Sequence, residues 1–461
     1  MEKIREQKNT VIVCVITAFI TTFMGSALNL SIPALEKEFG VGAQTVGWVV
    51  TIYMLTCSAL AVPFGRLADI VDRVLILRTG ILIFSAGSLS AVISRSMVIL
   101  LSFRLMQGIG ASMIFSTNIA ILAAAFDGNE RGRVLGYATC ATYAGLSAGP
   151  VIGGILNQHF GWRAIFLVTA AISAIAFCGA VLRLHKGSGT QYSSSEENKP
   201  VADYAGNILF IMSMVTSMYG LSAFKNNVAA PFILAAGLFL FIIFIRTEKK
   251  AVNPVVDIRM FGRNLPFTLS CFAAMFNYGS NFAMSYLISI YLQSVKEMSS
   301  QWAGIVLASG TVIMALLSPW VGRLSDRLSP NRISAVGMVF CAAALFFFAL
   351  VGQDSSLTRI IITLALSGLG FALFSTPNTN AVMSCVKKED YGTASSILST
   401  MRSLGHTASM SAVTAISGIY MGSSSIGEVP QEMLMKTLHV SFAIFTFLCI
   451  LGIFMAAKRK V

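Results

Sequence analysis

Charged residues are scarce in this sequence. Asp, Glu, Lys and Arg account for 11% of its 461 residues, whereas a soluble domain carries about a quarter. Hydrophobic residues make up 55% of the chain, and apolar runs of about 20 residues, each long enough to cross a bilayer, recur along nearly its whole length. A soluble core could not bury a dozen such runs. The composition therefore excludes a soluble globular protein and predicts an all-α integral membrane protein in the lipid bilayer.

Several chemical signatures are also missing. No G-x-x-x-x-G-K-[ST] loop occurs, so the sequence does not predict direct use of ATP. The eight cysteines form no C-x-x-C pair and no short pairing with His, so neither a structural disulfide nor a metal site is expected. The net charge of +13 falls in short clusters between apolar runs, which does not indicate nucleic acid as a partner. No enzymatic activity and no cofactor are predicted.

The apolar runs predict fourteen transmembrane helices. Most Lys and Arg residues fall in loops that lie on one side of the membrane if the N-terminus is cytoplasmic, as the positive-inside rule requires. Both termini are therefore expected in the cytoplasm. The protein is expected to be a multi-pass protein of the inner or plasma membrane, in a prokaryotic cell. The predicted spans are 11–33, 44–64, 76–94, 98–124, 135–157, 163–183, 204–224, 229–247, 265–293, 301–321, 333–352, 357–384, 391–418 and 437–457.

One half of the chain repeats the other. GRLAD at 65–69 recurs as GRLSD at 322–326, and GIGASMIFSTN at 108–118 is echoed by GLGFALFSTPN at 368–378. The two offsets are nearly equal, which is typical of an internal repeat. Because the first GRL-x-D follows the second predicted span and the second follows the tenth, two extra helices must lie between the halves.

The repeat predicts three regions. A six-helix bundle is expected over 1–184, a linker with the two inserted helices over 185–264, and a second six-helix bundle over 265–461. Within the linker, the alternating apolar and charged residues of 248–264 predict a segment that lies along the cytoplasmic membrane interface.

Two sets of residues have motif-like spacing. The repeated loop motif supplies an Asp that can bind a neighbouring helix terminus or an Arg and so latch one conformation; the residues are Gly65, Asp69, Arg73, Gly322 and Asp326. In the fifth span, GLSAGPVIGG places glycines at i, i+4 and i+8, which allows close helix approach, with a Pro that can bend the helix. These residues are Gly145, Gly149, Pro150, Gly153 and Gly154.

These motifs, with RLMQGIGAS in the fourth span and YGTASSILSTMRSLGH in the thirteenth, resemble the major facilitator superfamily, specifically its fourteen-helix drug:proton antiporter branch of multidrug efflux type. The resemblance covers essentially the whole chain. It implies two six-helix bundles plus two inserted helices, and secondary active export of small amphipathic compounds with protons as the coupling ion. The glycine motif of the fifth span is the one that the family associates with export.

The chain departs from this branch in its acidic residues. Met24 stands where the branch usually has an acid, and all twenty carboxylates lie at predicted helix ends or in loops. Arg402 and His406 share a helix face, and His406 is a candidate for titration during transport, or a packing histidine. Polar residues within spans normally face the bundle interior; the substrate and proton candidates are Asn29, Tyr53, Arg104, Asn277, Asn281, Tyr286, Arg402 and His406, with Asn118 and Tyr278 as further cavity residues.

Two alternatives remain open at this point. A carrier of an anionic or neutral metabolite would hold it with Arg104 and Arg402, with weak or atypical proton coupling. A transporter-like sensor or lipid-handling protein would bind ligand without counterflow.

Overall fold

The structure is a computed structural model that describes residues 2–41, 43–126, 128–184, 203–222, 229–251, 254–256, 258–421 and 430–457. Its helices in chain order are α1 (Glu2–Ala27), α2 (Ile32–Phe39), α3 (Ala43–Ile70), α4 (Arg73–Val92), α5 (Met97–Ala125), α6 (Gly128–Phe160), α7 (Arg163–Arg183), α8 (Tyr204–Ser222), α9 (Ala230–Glu248), α10 (Ile258–Arg263), α11 (Leu265–Ile290), α12 (Ser300–Arg327), α13 (Pro330–Ala349), α14 (Leu357–Ser384), α15 (Tyr391–Met421) and α16 (Gln431–Ala457). A 3-10 turn (Leu28–Ser31) precedes α2, a π-helical segment (Tyr291–Val295) follows α11, and a 3-10 turn (Lys388–Asp390) precedes α15.

The long helices fall on the predicted spans. These are α1, α3–α9 and α11–α16, and no strand occurs in the described part of the chain. Eleven of the described helices are long and apolar enough to cross a membrane. The exceptions include α11 and α15, whose Ser, Thr and Gly content, with two Asn in α11, lowers their hydropathy. The all-α fold predicted from composition is confirmed.

Both copies of the GRL-x-D motif lie inside helices. The sequence places them in loops after spans that end at 64 and 321, but α3 continues to Ile70 and α12 to Arg327. The polar side chains of these last turns need no apolar surroundings, because Asp69 and Asp326 accept hydrogen bonds from backbone N–H groups of other helices. Each motif Asp therefore projects from the last turn of a helix.

Two hydrophobic cores organise the helices. One consists of buried residues between Val13 and Leu184, from α1 and α3–α7. The other takes most of its residues from α11–α16, together with residues of α8 and α9. The inserted helices α8 and α9 pack on each other, and α8 also packs on α3 and α15. The region boundaries at 184/185 and 264/265 stay a prediction.

The segment that joins α9 to α10 packs in part against protein. Val255 and Val256 are only 1% and 5% exposed and belong to the second core, and the position of 248–264 along the membrane interface stays a prediction. Burial against protein gives these two side chains the same release from water that lipid would give. Asp257, in the same segment, lies outside the described residues.

Candidate functional site

Asp69 joins the end of α3 to the start of α15. Its Oδ1 accepts a hydrogen bond from Gly392 N at 2.8 Å, and its Oδ2 accepts from Thr393 N at 2.7 Å and Thr393 Oγ1 at 2.9 Å. A Cβ at Gly65 would lie 2.6 Å from Gly392 O, so the two helices cross in backbone contact. The carboxylate satisfies N–H groups that have no partner within the first turn of α15. This contact is called the Asp69 junction.

Arg73 completes the Asp69 junction. Its Nη2 lies 2.7 Å from Asp69 Oδ1, and the two side chains are 1% and 2% exposed. The same guanidinium donates to the carbonyl oxygens of Lys388 at 2.5 Å and Glu389 at 3.0 Å. A buried ion pair is stable only when its remaining hydrogen-bonding capacity is satisfied, and the carbonyls of 388 and 389 provide this.

Asp326 makes the equivalent contact between α12 and α6. Gly132 N donates to Asp326 Oδ1 at 2.5 Å and Arg133 N donates to Oδ2 at 2.8 Å. A Cβ at Gly132 would lie 2.5 Å from Gly322 O. This contact, the Asp326 junction, repeats the Gly–Asp geometry of the Asp69 junction with the helices of the other half. Both junctions lie at one end of the molecule, called here the motif end.

Arg131 adds a further link at the motif end. Its Nε donates to Asn380 Oδ1 at 2.8 Å and its Nη1 to Tyr391 OH at 3.1 Å, while Nη2 donates to Ser384 Oγ. These partners lie in α14 and α15, so α6 is fastened to two helices of the second half.

The glycine motif of α6 packs against α1. A Cβ at Gly145 or Gly153 would lie 2.5 Å from Phe19 O or Ala27 O, respectively, and a Cβ at Gly149 would collide with Ser26 Oγ. Only glycine allows such close backbone approach. Pro150 and Gly154 lie in the same helix. The motif therefore fixes α1 on α6 inside the first bundle.

A polar and aromatic cluster lies where the two halves meet, near the middle of α6, α11, α14 and α15. Tyr143 OH of α6 donates to Tyr278 OH of α11 at 3.2 Å, and Tyr278 OH is 2.7 Å from Ser375 Oγ of α14. The ring of Phe371 meets both tyrosine rings edge-on, at 5.3 and 4.8 Å between centroids.

Arg402 and His406 of α15 join this group. The Arg402 guanidinium carbon lies 4.6 Å from the Tyr278 ring centroid, and its Nη2 donates to Thr379 Oγ1 at 2.6 Å. His406 stacks on Phe282, with centroids 4.7 Å apart. Arg402 Nε is buried and has no hydrogen-bond partner in the described chain. The central cluster is defined as Tyr143, Tyr278, Phe371, Ser375, Thr379, Arg402 and His406.

Tyr53 and Arg104 lie elsewhere, inside the first bundle. Both are buried, with Tyr53 OH donating to Thr21 O at 2.9 Å. Arg104 Nε donates to Val49 O and Nη1 donates to Gln107 Oε1, each at 2.8 Å. The guanidinium carbon also lies 4.4 Å from the Tyr53 ring centroid. The structure thus separates Arg104 from Arg402, although the sequence groups them as substrate candidates.

The other predicted polar residues are scattered. Asn277 is 1% exposed and lies beside Cys341, within the second bundle. Asn281 Nδ2 is 3.5 Å from Ser367 Oγ, and Tyr286 is 39% exposed. The side chain of Asn29 lies outside the described residues.

Met24 and Asn118 act as packing residues between helices. Met24 is fully buried, and its sulfur lies 3.4 Å from Thr169 Oγ1 of α7. Asn118 Nδ2 donates to Cys14 O at 3.1 Å and Thr17 Oγ1 at 3.0 Å, both in α1. Neither side chain reaches the central cluster through these contacts.

The sequence interpretation missed four residues of the central cluster, Tyr143, Phe371, Ser375 and Thr379. A signal for them exists. Phe371 and Ser375 belong to GLGFALFSTPN, which serves in the sequence only to establish the repeat, and Tyr143 precedes the glycine motif by two residues. Their meeting across the interface depends on tertiary packing, which single-sequence periodicity does not reveal.

Comparisons with known proteins agree with this architecture. The family model described as Major Facilitator Superfamily matches residues 14–410. The chain is 32% identical over 394 residues to the riboflavin transporter RibZ of Clostridioides difficile (strain 630), covering 86% of this chain and 84% of the relative. It is 26% identical over 408 residues to the multidrug resistance protein Stp of Mycobacterium tuberculosis (strain CDC 1551 / Oshkosh), covering 87% of this chain and 74% of the relative.

Among solved structures, the crystal structure of the human organic anion transporter MFSD10 (TETRAN) is similar. The TM-score is 0.71 with 14% sequence identity, over 98% of this chain and 99% of that chain. At this identity the likeness concerns the fold.

Proposed function

The chain belongs to the major facilitator superfamily, and from that membership we propose that it exports small aromatic compounds, neutral or anionic, through the central cluster. As a member of the family it is a multi-pass membrane transporter and not an enzyme. The proposal narrows the expectation of general multidrug export, because the described carboxylates lie at helix ends or in loops and none of them belongs to the central cluster, where it could pair with a cationic drug.

Arg402 is the main support for this substrate class. It is the one cation among the described residues of the central cluster, and its buried Nε has no partner. The described members of that cluster include no carboxylate, so a carboxylate or polarised carbonyl of a substrate would supply the missing acceptor. A guanidinium binds such groups well because its N–H donors form a rigid fork.

The aromatic rings of the cluster favour a planar substrate. Tyr143, Tyr278 and Phe371 offer ring faces and edges from both halves of the chain, and aromatic pairs gain about 0.5–1.5 kcal/mol beyond their buried area. The name of one relative is compatible with this class, because that relative is a riboflavin transporter.

Two further features support export with both termini in the cytoplasm of a bacterium. The glycine motif of α6 has the form that the family associates with export, and the basic residues are distributed as the positive-inside rule requires. On this orientation the motif end faces the cytoplasm. The two junctions then close the cytoplasmic side, and rocking of the two bundles would open it.

The test is transport by the purified protein in proteoliposomes, with riboflavin, an aromatic carboxylate and a cationic aromatic dye, each with and without a pH gradient. Replacing Arg402→Gln should reduce transport of the carboxylate about tenfold or more, because a hydrogen bond to a charged group is worth about 1.5–3 kcal/mol. Arg359→Gln, at an exposed arginine outside the cluster, is the matched control. A protein that transports only the cationic dye, unaffected by Arg402→Gln, would refute the proposal.

The same assay examines proton coupling. His406 is the residue of the central cluster whose unperturbed charge changes nearest neutral pH, and we propose that it binds the coupling proton. His406→Gln should then retain substrate counterflow but lose the acceleration by a pH gradient. If a pH gradient accelerates transport by His406→Gln as much as transport by the wild type, His406 is only a packing residue on Phe282.

A further inference from the structure

Two acidic side chains lie at the motif end of the inserted helices. Glu248 ends α9 and is 3% exposed, and Asp203 comes directly before α8. Glu248 Oε2 accepts a hydrogen bond from Val256 N at 3.3 Å, and Asp203 Oδ1 accepts from Gly206 N at 2.8 Å. The other oxygens, Glu248 Oε1 and Asp203 Oδ2, are buried and have no hydrogen-bond partner among the described residues.

Both oxygens lie in the space beside Gly206. A Cβ at Gly206 would collide with Glu248 Oε1 and would lie 2.8 Å from Asp203 Oδ2. The ion pairs of the described chain include neither carboxyl group. Burial and the neighbouring Asp203 carboxylate both disfavour the ionised form of Glu248 and raise its pKa.

We propose that Glu248 binds a proton at the base of the inserted helices, beside the carboxylate of Asp203. A protonated Glu248 gains an O–H donor and carries no charge, whereas an ionised Glu248 only accepts hydrogen bonds. Release of the proton leaves two neighbouring negative charges, which favours separation of the start of α8 from the end of α9.

The surrounding charges connect this site to the Asp69 junction. Arg66 of α3 acts electrostatically on Glu248 and also on Asp390, and its Nε is buried without a hydrogen-bond partner in the described part of the chain. Burial raises the pKa of Asp390, and the neighbouring Asp69 carboxylate raises it further. Among the described residues near Glu248, the next charges along the chain are the exposed Lys249 and Lys250.

Arg66 therefore lies between two acidic groups that compete for it. When the proton is bound, the pair of Glu248 and Asp203 carries one negative charge and Arg66 compensates Asp390. When the proton leaves, Glu248 and Asp203 together carry two negative charges and attract Arg66 more strongly. Arg66 then compensates the negative charge of Asp390, beside Asp69, less well. Protonation at the inserted helices would in this way change the electrostatic environment of the Asp69 junction.

The test compares wild type with Glu248→Gln and Asp203→Asn in lipid nanodiscs, by the midpoint of thermal unfolding from about pH 5 to pH 9, a range that spans the ionisation of perturbed carboxyl groups. The wild-type midpoint should fall as pH rises, because ionisation opposes the two carboxylates. Glu248→Gln keeps a donor at every pH, so its midpoint should match wild type at low pH and exceed it at high pH. Glu130→Gln, at an exposed carboxylate of the motif end, should follow the wild-type profile.

Two measurements keep the proposal falsifiable if a variant folds poorly. Infrared spectroscopy of the wild type should show the carbonyl stretch of a protonated carboxyl group at neutral pH, and Glu248→Gln should lack it. Parallel pH profiles of wild type and Glu248→Gln would overturn the proposal. Stabilisation of the wild type by Na⁺ or Mg²⁺ at fixed pH, lost in Glu248→Gln, would also overturn it, because the site would then hold a metal cation.

Discussion

The Asp69 and Asp326 junctions are two versions of one contact. In each, an aspartate in the last turn of a helix accepts hydrogen bonds from two successive backbone N–H groups, of Gly392 and Thr393 or of Gly132 and Arg133. In each, a glycine one turn before the aspartate lets the helix backbones touch. The repeat has preserved the part of the contact that depends on backbone geometry.

The charges around the two aspartates have diverged. Asp69 forms a buried ion pair with Arg73, and that arginine also holds two carbonyl oxygens before α15. Asp326 forms no side-chain ion pair within the described residues, and the nearby Arg131 binds polar groups of α14 and α15 instead. We infer that the Asp69 junction contributes more than the Asp326 junction to closing the motif end, because breaking it leaves the buried charge of Arg73 without its carboxylate.

The largest difference between the junctions should appear on removal of the aspartates. Asp69→Ala leaves the Arg73 guanidinium buried without its carboxylate, which costs about 3–5 kcal/mol. Asp326→Ala leaves only backbone N–H groups without an acceptor, at about 1–3 kcal/mol. The fraction of molecules open at the motif end should therefore rise far more for Asp69→Ala.

The opening can be measured as the distance between spin labels at Val71 and Leu328, which are exposed at 44% and 56% and follow α3 and α12. The native cysteines must first be replaced. Asp354→Ala, at an exposed loop position, is the control. Equal opening by both aspartate variants would show that the Arg73 ion pair adds nothing to closure.

The glycines should behave alike where the aspartates differ. A Cβ at Gly65 would lie 2.6 Å from Gly392 O, and a Cβ at Gly322 would collide with Gly132 O. Both obstacles are backbone atoms that cannot rotate away, and overpacking of this kind costs about 1–3 kcal/mol. Gly65→Ala and Gly322→Ala should thus open the motif end to a similar extent in the same distance measurement.

A second substitution sharpens the glycine comparison. The Cβ of Gly65→Ala would also collide with Ser396 Oγ, a side chain that a mutation can remove. Adding Ser396→Ala should not restore closure, because the carbonyl of Gly392 remains in place. Full restoration would mean that the side chain, and not the backbone crossing, makes glycine necessary at Gly65.

The sequence predicted most of the fold because helix length and hydropathy are local properties. It also predicted Asp69, Arg73 and Asp326 as a group, since a repeated motif is visible without tertiary information. The central cluster was predicted only in part. Arg402 and His406 stand out as polar residues in an apolar span, but Tyr143 and Ser375 gain their meaning from neighbours on other helices, which no spacing within one helix specifies.

The smallest expected difference concerns Thr393 and Arg133, which follow Gly392 and Gly132 in the two junctions. Thr393 Oγ1 gives Asp69 Oδ2 a third hydrogen bond from α15, at 2.9 Å, while the equivalent Arg133 directs its side chain to the exposed Glu130. Thr393→Val keeps the backbone bonds and the side-chain volume, so the loss should be about 0.5–1.5 kcal/mol. The distance between the spin labels should reveal a slight opening.

The reverse substitution applies the comparison to the other junction. Arg133→Thr places a hydroxyl where Asp326 Oδ2 already accepts from the backbone of the same residue. The ion pair that it removes is exposed, and such pairs are worth about 0–1 kcal/mol. Closure should therefore be unchanged or slightly improved, whereas Thr393→Val weakens it. If Arg133→Thr opens the motif end more than Thr393→Val does, the Arg133 side chain stabilises the Asp326 junction, and the two junctions are closer in strength than their ion pairs indicate.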